Sequence, residues 1–243
     1  MVEQLSVEHV CKNFSGLQAL DDINLKLVKG EILGLIGPNG SGKTTLINVI
    51  SGLLSATSGV ISISGIEITN LPAHQIANHR ISRTFQTIRL FRNLTVMENI
   101  EVAAVGVGNQ RKVARQKARN ALGEMNLEPY ADALAGSLPY GLERRLEIAR
   151  ALAMDPVFLL LDEPGAGLNE DECNDLLKVL GQIRDRYNLG MLIVEHDMRL
   201  IMRLCDRLHV LQSGKTIGEG KPAEIRENPA VIDAYLGHSG KEN

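Results

Sequence analysis

Apolar and polar positions change period several times along the 243 residues, and each change marks an element. Residues 3–30 carry short alternating runs, LSVEHV and INLKLV, with turn signals at Ser15-Gly16 and Lys29-Gly30. That alternation predicts two or three antiparallel strands. EILGLIG (31–37) is apolar almost throughout, as expected of a strand buried on both faces. TTLINVISGLL (44–54) reads as a helix, GVISISG (59–65) as a strand and LPAHQIANHRIS (71–82) as a short helix. Within 110–127, Val113, Ala114, Ala118, Ala121, Leu122 and Met125 make one apolar helical face. Arg111, Lys112, Arg115, Lys117 and Arg119 lie elsewhere on it, as a solvated face or as a contact for anionic lipid or nucleic acid. After Pro129, Gly136 and Pro139, a second helix (141–154) starts at Gly141, so its N-terminus is open to an anion. VFLLLDEP (157–164) and GMLIVEHDM (190–198) are further buried strands. Buried strands alternating with helices predict an α/β fold with a mostly parallel central sheet and an antiparallel N-terminal side sheet.

Chemistry concentrates first at GPNGSGKTT: Gly37, Pro38, Asn39, Gly40, Ser41, Gly42, Lys43, Thr44 and Thr45. The stretch fits G-x-x-x-x-G-K-[ST] between a buried strand and a helix N-terminus. Glycines there let backbone N–H groups turn toward a phosphate chain. Lys43 would reach the β- and γ-phosphates, and the Thr44 hydroxyl would ligate Mg²⁺. Asp162 ends a buried strand and suits Mg²⁺ beside Thr44, and Glu163 next to it suits a base that polarises water; a helix cap is the alternative. Gln86 can reach a metal ion or an attacking water, or simply face solvent. Phe14 either stacks on a nucleobase or covers the edge of the core. His196 is a structural group or a ligand contact, and ligands sit at the carboxyl ends of parallel strands. Gly37, Asp162 and His196 all fall at such ends.

Composition narrows the class. A 44% hydrophobic content supports a real core, and a net charge of −3 gives no generally basic surface for nucleic acid. No apolar run reaches the roughly 18 residues of a membrane span, and the N-terminus shows no signal peptide. Cys11, Cys173 and Cys205 are scattered and odd in number, and read as reduced packing thiols.

With these residues in place, the chain resembles the ATP-binding cassette (ABC) ATPases over nearly its whole length. The resemblance implies a base-stacking role for Phe14, a Walker A loop at 37–45 and the Q-loop glutamine at Gln86. It implies the Walker B aspartate at Asp162, the catalytic glutamate at Glu163 and the switch histidine at His196. The signature segment is LPYGLERR (138–145), where only Leu138 and Gly141 match L-S-G-G-Q. Gly141 and the helix behind it would then carry the contact of the missing serine. The following loop, GAGLN, ends in Asn169 where aspartate is common. RTFQTIRLFRNLTVMENI, YGLERRLEIARAL, DEPGAGLN and the tail NPAVIDAYLG are most similar to the LivG-like group, the ATP-binding subunits of branched-chain amino acid importers.

That resemblance implies one ABC ATPase domain: a core of about 1–86 and 153–222, a helical subdomain of about 87–152 and a helical tail of about 223–243. ATP and Mg²⁺ are the implied ligands. The implied partners are permease subunits, a homologous ATP-binding subunit paired head to tail, and indirectly a periplasmic or extracellular solute-binding protein. The implied place is the cytoplasmic face of the membrane, and no nucleic acid is expected. Ile88, Leu90, Phe91 and Leu94, mixed with Arg89, Arg92 and Asn93, would form the permease groove, or else Phe91 and Leu94 simply close the helical subdomain's core. ATPases for urea, amides and lipids share these features. A soluble ABC ATPase acting on DNA or ribosomes would carry a coiled-coil insertion, zinc cysteines or a second cassette. A switch without turnover would not need Glu163, and no N-K-x-D motif indicates a GTPase.

Overall fold

The computed structural model describes residues 3–196 and 198–236. Two sheets organise them. In the first, β1 (Gln4–Phe14), β2 (Leu17–Val28), β4 (Ser58–Ile63) and β5 (Ile66–Glu67) lie in the order β2-β1-β4-β5, every pair antiparallel. The second contains β3 (Ile32–Ile36), β6 (Ile81–Arg83), β7 (Phe158–Asp162), β8 (Gly190–Val194), β9 (Arg207–Gln212) and β10 (Lys215–Gly220). Its order is β10-β9-β3-β8-β7-β6, parallel throughout except for the β9–β10 hairpin. The fold is therefore the expected α/β arrangement with an antiparallel N-terminal sheet.

The central strands β3, β7 and β8 are buried at every position because each face meets a different core. Leu33 and Leu35 of β3, Leu160 of β7 and Leu192 and Val194 of β8 join the first sheet and α1 (Lys43–Ile50). Ile32 and Ile36, Leu159 and Leu161, and Met191 and Ile193 point the other way, into the helices. Each such Leu or Ile, fully buried, stabilises the fold by roughly 1.5–3 kcal/mol. The second core takes in α3 (Val96–Gly106), α4 (Arg111–Glu124), α5 (Tyr140–Ala153) and α6 (Glu170–Tyr187). On α4 the buried stripe is Ala114, Ala118, Ala121 and Leu122, whereas Val113, expected on it, stands exposed.

Several expectations shift. The helix expected over 44–54 stops at Ile50, where the Ser51 hydroxyl bonds back to Ile47 O and Gly52 takes a positive φ of 71°. The helix expected over 71–82 is only α2 (Ala73–Asn78), and Ile81–Arg83 is instead the edge strand β6 beside β7. Three residues are too short for their period to be read. α3 was not anticipated; its start is set by a capping box in which Thr95 and Glu98 satisfy each other's backbone N–H. β8 ends at Val194, and α7 (Met198–Leu204) begins where the strand was expected to end. The tail forms α8 (Pro222–Glu227) and α9 (Pro229–Leu236). Cys173 and Cys205 are buried, and burial pushes the Cys205 thiol up, out of reactive range.

Candidate active site

β3 delivers the chain into the glycine-rich loop at the carboxyl edge of the sheet. Gly37 has φ 148°, and a Cβ on it would stand 2.1 Å from the Leu211 carbonyl oxygen, so only glycine fits. Gly42 caps α1 with φ 108°, and a Cβ there would meet the Ala19 carbonyl at 2.8 Å. The helix ladder begins with Leu46 N donating to Gly42 O, leaving the N–H groups before it without a helical acceptor. Lys43 is buried and donates to the carbonyls of Gly37 (2.6 Å) and Pro38 (3.0 Å). Desolvation lowers its pKa, while Glu163 and Asp162 pull the other way. The Ser41 hydroxyl is buried with no hydrogen-bond partner among the described residues, a donor that a ligand oxygen would satisfy. The turn at Ser213 and Gly214 braces the loop, with Gly214 N donating to Ser41 O.

β7 ends at Asp162, buried and held by Arg83 at 2.9 Å. Arg83 also bonds Asn48 (2.6 Å) and Ser51 (2.9 Å) of the P-loop helix, so one guanidinium ties β6, β7 and α1 together. Glu163 has φ 49°, an unfavourable region for a glutamate and a conformation that clusters at functional sites. Its carboxylate accepts a bond from Gln86 Nε2 at 2.9 Å. His196, exposed at the exit of β8, holds Nδ1 3.9 Å from Glu163.

One open cleft collects Phe14, Asn39 to Thr45, Gln86, Glu163 and the Ser213-Gly214 turn. Phe14, 39% exposed at the end of β1, carries Lys12 Nζ 4.9 Å from its ring centre. Asp162 is buried and does not line this cleft, and His196 lines a second cavity together with the 165–169 loop. Gly141 does not share the cleft. It lies against Leu168 and Glu172, with Tyr140 one residue before it packed on Gly167. α5 begins at Tyr140, with Pro139 as its cap, rather than at Gly141.

Sequence reasoning passed over four residues here. Arg83 is described above. Arg144 is fully buried and bonds the carbonyls of Phe85 and Gln86, the Glu147 carboxylate and the Tyr140 hydroxyl, locking α5 to the Gln86 segment. Asn99, also fully buried, bonds Phe91 through both N–H and carbonyl and fixes the loop before α3. Glu195 is buried beside His196. Nothing in the sequence separates Arg144 from its neighbour Arg145; a glutamate closing an apolar strand at Glu195 was the only legible signal.

Comparison with known proteins fits this geometry. Residues 20–166 match the ABC transporter family, and residues 215–241 match the branched-chain amino acid ATP-binding cassette transporter family. The chain is 40% identical to the high-affinity branched-chain amino acid transport ATP-binding protein BraF of Pseudomonas aeruginosa, over 97% of this chain and 98% of that one. It is 37% identical to the lipopolysaccharide export system ATP-binding protein LptB of Haemophilus influenzae, over 98% of each. Among solved structures, the ADP conformation of the ATP-binding cassette MJ1267 superposes with a TM-score of 0.89 at 30% identity, covering 98% of this chain and 100% of that one. The dimeric post-hydrolysis cassette MJ0796, bound to ADP and Pi, gives 0.80 at 27% identity over 90% and 98%. By its loop, its paired acids, its fold and these relatives, the chain belongs to the ABC transporter family and is one of its ATPases.

Proposed function

We propose that this chain is the ATP-hydrolysing subunit of an importer for branched-chain amino acids. The observation that carries the chemistry is the single cleft bringing Phe14, the P-loop, Gln86 and Glu163 together. The solute is supported by the match over 215–241 and by BraF. Lipopolysaccharide export, by analogy with LptB, is the second reading.

The reaction is transfer of the γ-phosphoryl group of ATP to water. Phe14 stacks on the base, and the 37–45 loop, Lys43 and the Ser41 hydroxyl hold the phosphates. The donors at hand for Mg²⁺ are the oxygens of Thr44, Asp162 and Gln86, the hard ligands that ion takes alongside phosphate and water. When bound, Mg²⁺ neutralises charge on the phosphates. Glu163 orients the water and accepts its proton, Gln86 links this group to the segment that follows it, and His196 contacts the γ-phosphate. A preorganised group of this kind is worth about 10²–10³ in rate.

Gly141 lies outside the chain's own cleft, so it serves the nucleotide of a second, homologous subunit packed head to tail. The segment after Gln86, opening the helical subdomain of about 87–152, is the permease contact. Phe91 is 49% exposed there and lines a groove with Leu53, Ile76, Phe85, Arg150 and Met154. No described helix is long and apolar enough to cross a membrane. A permease contact would place the subunit on the membrane's cytoplasmic face, with a solute-binding protein reached only through the permease.

Glu163→Gln tests the chemistry. ATP binding should persist while turnover falls by about two orders of magnitude or more, and a dimer should accumulate with ATP on size exclusion. Near-normal turnover would remove Glu163 from this role. Restored leucine uptake in a transporter-deficient strain, with the cognate permease, tests the solute.

A further inference from the structure

Glu195 has no task in the mechanism above, yet it is buried, with 4% of its surface exposed, at the carboxyl exit of β8. Its two oxygens serve two different loops. Oε1 accepts a hydrogen bond from Gly165 N–H at 2.8 Å, and Oε2 accepts one from His196 N–H at 3.2 Å. Gly165 opens the loop that follows the paired acids of β7, and His196 opens the turn after β8. One side chain therefore joins the exits of two neighbouring strands.

The close approach is built in from the other side as well. A Cβ on Gly165 would stand 3.0 Å from Glu195 Oε1 and 2.9 Å from Cys173 Sγ, so glycine is what lets the loop reach the carboxylate. Burying a carboxylate costs several kcal/mol, and burial raises its pKa despite the two N–H bonds and nearby His196. An apolar side chain would fill the space without that cost. What it would lack is two acceptors for two backbone donors.

We propose that Glu195 is a positioning residue, which holds the 165–169 loop and His196 together in the arrangement that hydrolyses ATP. It acts through the backbone of the two loops, from whose N–H groups it accepts hydrogen bonds. The 165–169 loop also carries Gly167, packed on Tyr140 at the start of α5, and Asn169, the cap of α6. The proposal rests on the reading of His196 given above.

The test is steady-state MgATP hydrolysis by the full chain carrying Glu195→Gln. Glutamine keeps the shape but offers one acceptor, and turns an NH₂ toward a backbone N–H. Losing a charge-assisted hydrogen bond predicts a fall in kcat of about tenfold or more. The KM for ATP should hold because the P-loop is untouched, and the melting temperature should hold because the neutral amide removes the desolvation cost of the buried charge along with the bond it made. Gly165→Ala, which keeps the charge but pushes the carboxylate aside, should lower kcat in the same way, together with some loss of melting temperature from crowding Cys173 and Leu200. Wild-type kcat in Glu195→Gln overturns the proposal, and so does a kcat loss in that variant that comes with a melting temperature lower by several degrees. His196→Ala measured in parallel separates the two readings. An active His196→Ala enzyme sinks the role of His196, whereas an impaired one beside a fully active Glu195→Gln sinks only that of Glu195.

Discussion

Individual residues divide into those whose chemistry fixed their position and those whose position fixed their chemistry. Lys43 and the glycines beside it belong to the first kind, since a phosphate loop tolerates little else at those places. Phe14 lay between two readings, and the structure leaves its ring part exposed in the cleft that holds the P-loop. Stacking of a base on an aromatic ring is worth about 1–3 kcal/mol. Phe14→Ala should therefore weaken ATP binding by about tenfold, read from titration with a fluorescent ATP analogue, while Phe14→Tyr should bind normally. Unchanged affinity in the alanine variant would return Phe14 to the role of covering the core edge. Arg83 and Arg144 belong to the second kind. Arg83 ties itself to α1 and β7, and Arg144 reaches from α5 to the carbonyls of Phe85 and Gln86 as well as to Tyr140 and Glu147 of its own helix, and no local pattern names the long-range bonds.

Among the elements, α6 shows how a departure from the family pattern acquires a local reason. Asn169, standing where aspartate is common, is the N-cap of α6. Its side chain accepts from Glu172 N at 2.9 Å, and Glu172 reaches back to Asn169 N at 3.1 Å. Glu170, Asp171 and Glu172 fill the first turn and Arg184 and Arg186 the last, in the sense that the helix dipole favours. Removing such a cap costs about 1 kcal/mol, which for a chain of this size lowers the melting temperature by roughly 2–4 °C. Asn169→Ala should show that loss in a calorimetric scan and Asn169→Asp should not, since aspartate caps equally well. Equal melting temperatures for the wild type and the alanine variant would mean that α6 does not depend on this cap. The same Glu172 stands against Gly141: a Cβ on Gly141 would approach Glu172 Oε1 to 2.9 Å. A side chain at 141 therefore disturbs the cap of α6 as well as any nucleotide it faces.

For the whole molecule, the segment after Gln86 decides how hydrolysis would reach a membrane partner. Leu90 and Phe91 both line the groove beside this segment, but they differ in what they pack against. Leu90 packs on the helical core, whereas Phe91 stands out beside Arg150, its ring centre 5.1 Å from the guanidinium. Asn99 pins the backbone around Phe91. Phe91→Ala should accordingly leave folding and ATP affinity unchanged while weakening capture of the permease in co-purification. Leu90→Ser should lower the melting temperature by several degrees, as a polar group placed in a core does. The reverse pattern, with Phe91→Ala unstable and permease capture intact, would move the docking site elsewhere.

The sequence alone determined the fold class, the P-loop and the identity of the acids, because these rest on local constraints. Alternation sets a strand, unbroken apolar runs set a strand buried on two faces, and a glycine-rich turn with a lysine is legible from a few neighbouring residues. Elements set by a partner escaped it. β6 exists because β7 lies beside it, and α3 is set off by a cap that the apolar period does not reveal. The same holds for the site. Lys43, Asp162 and Glu163 were nameable from their own strands and loops, but the bonds from Gln86 to Glu163 and from Arg83 to Asp162 join residues nearly eighty positions apart. The tertiary structure also decided that Gly141 lies outside the chain's own cleft, since helix packing against the 165–169 loop, and not sequence distance, sets what that helix N-terminus faces.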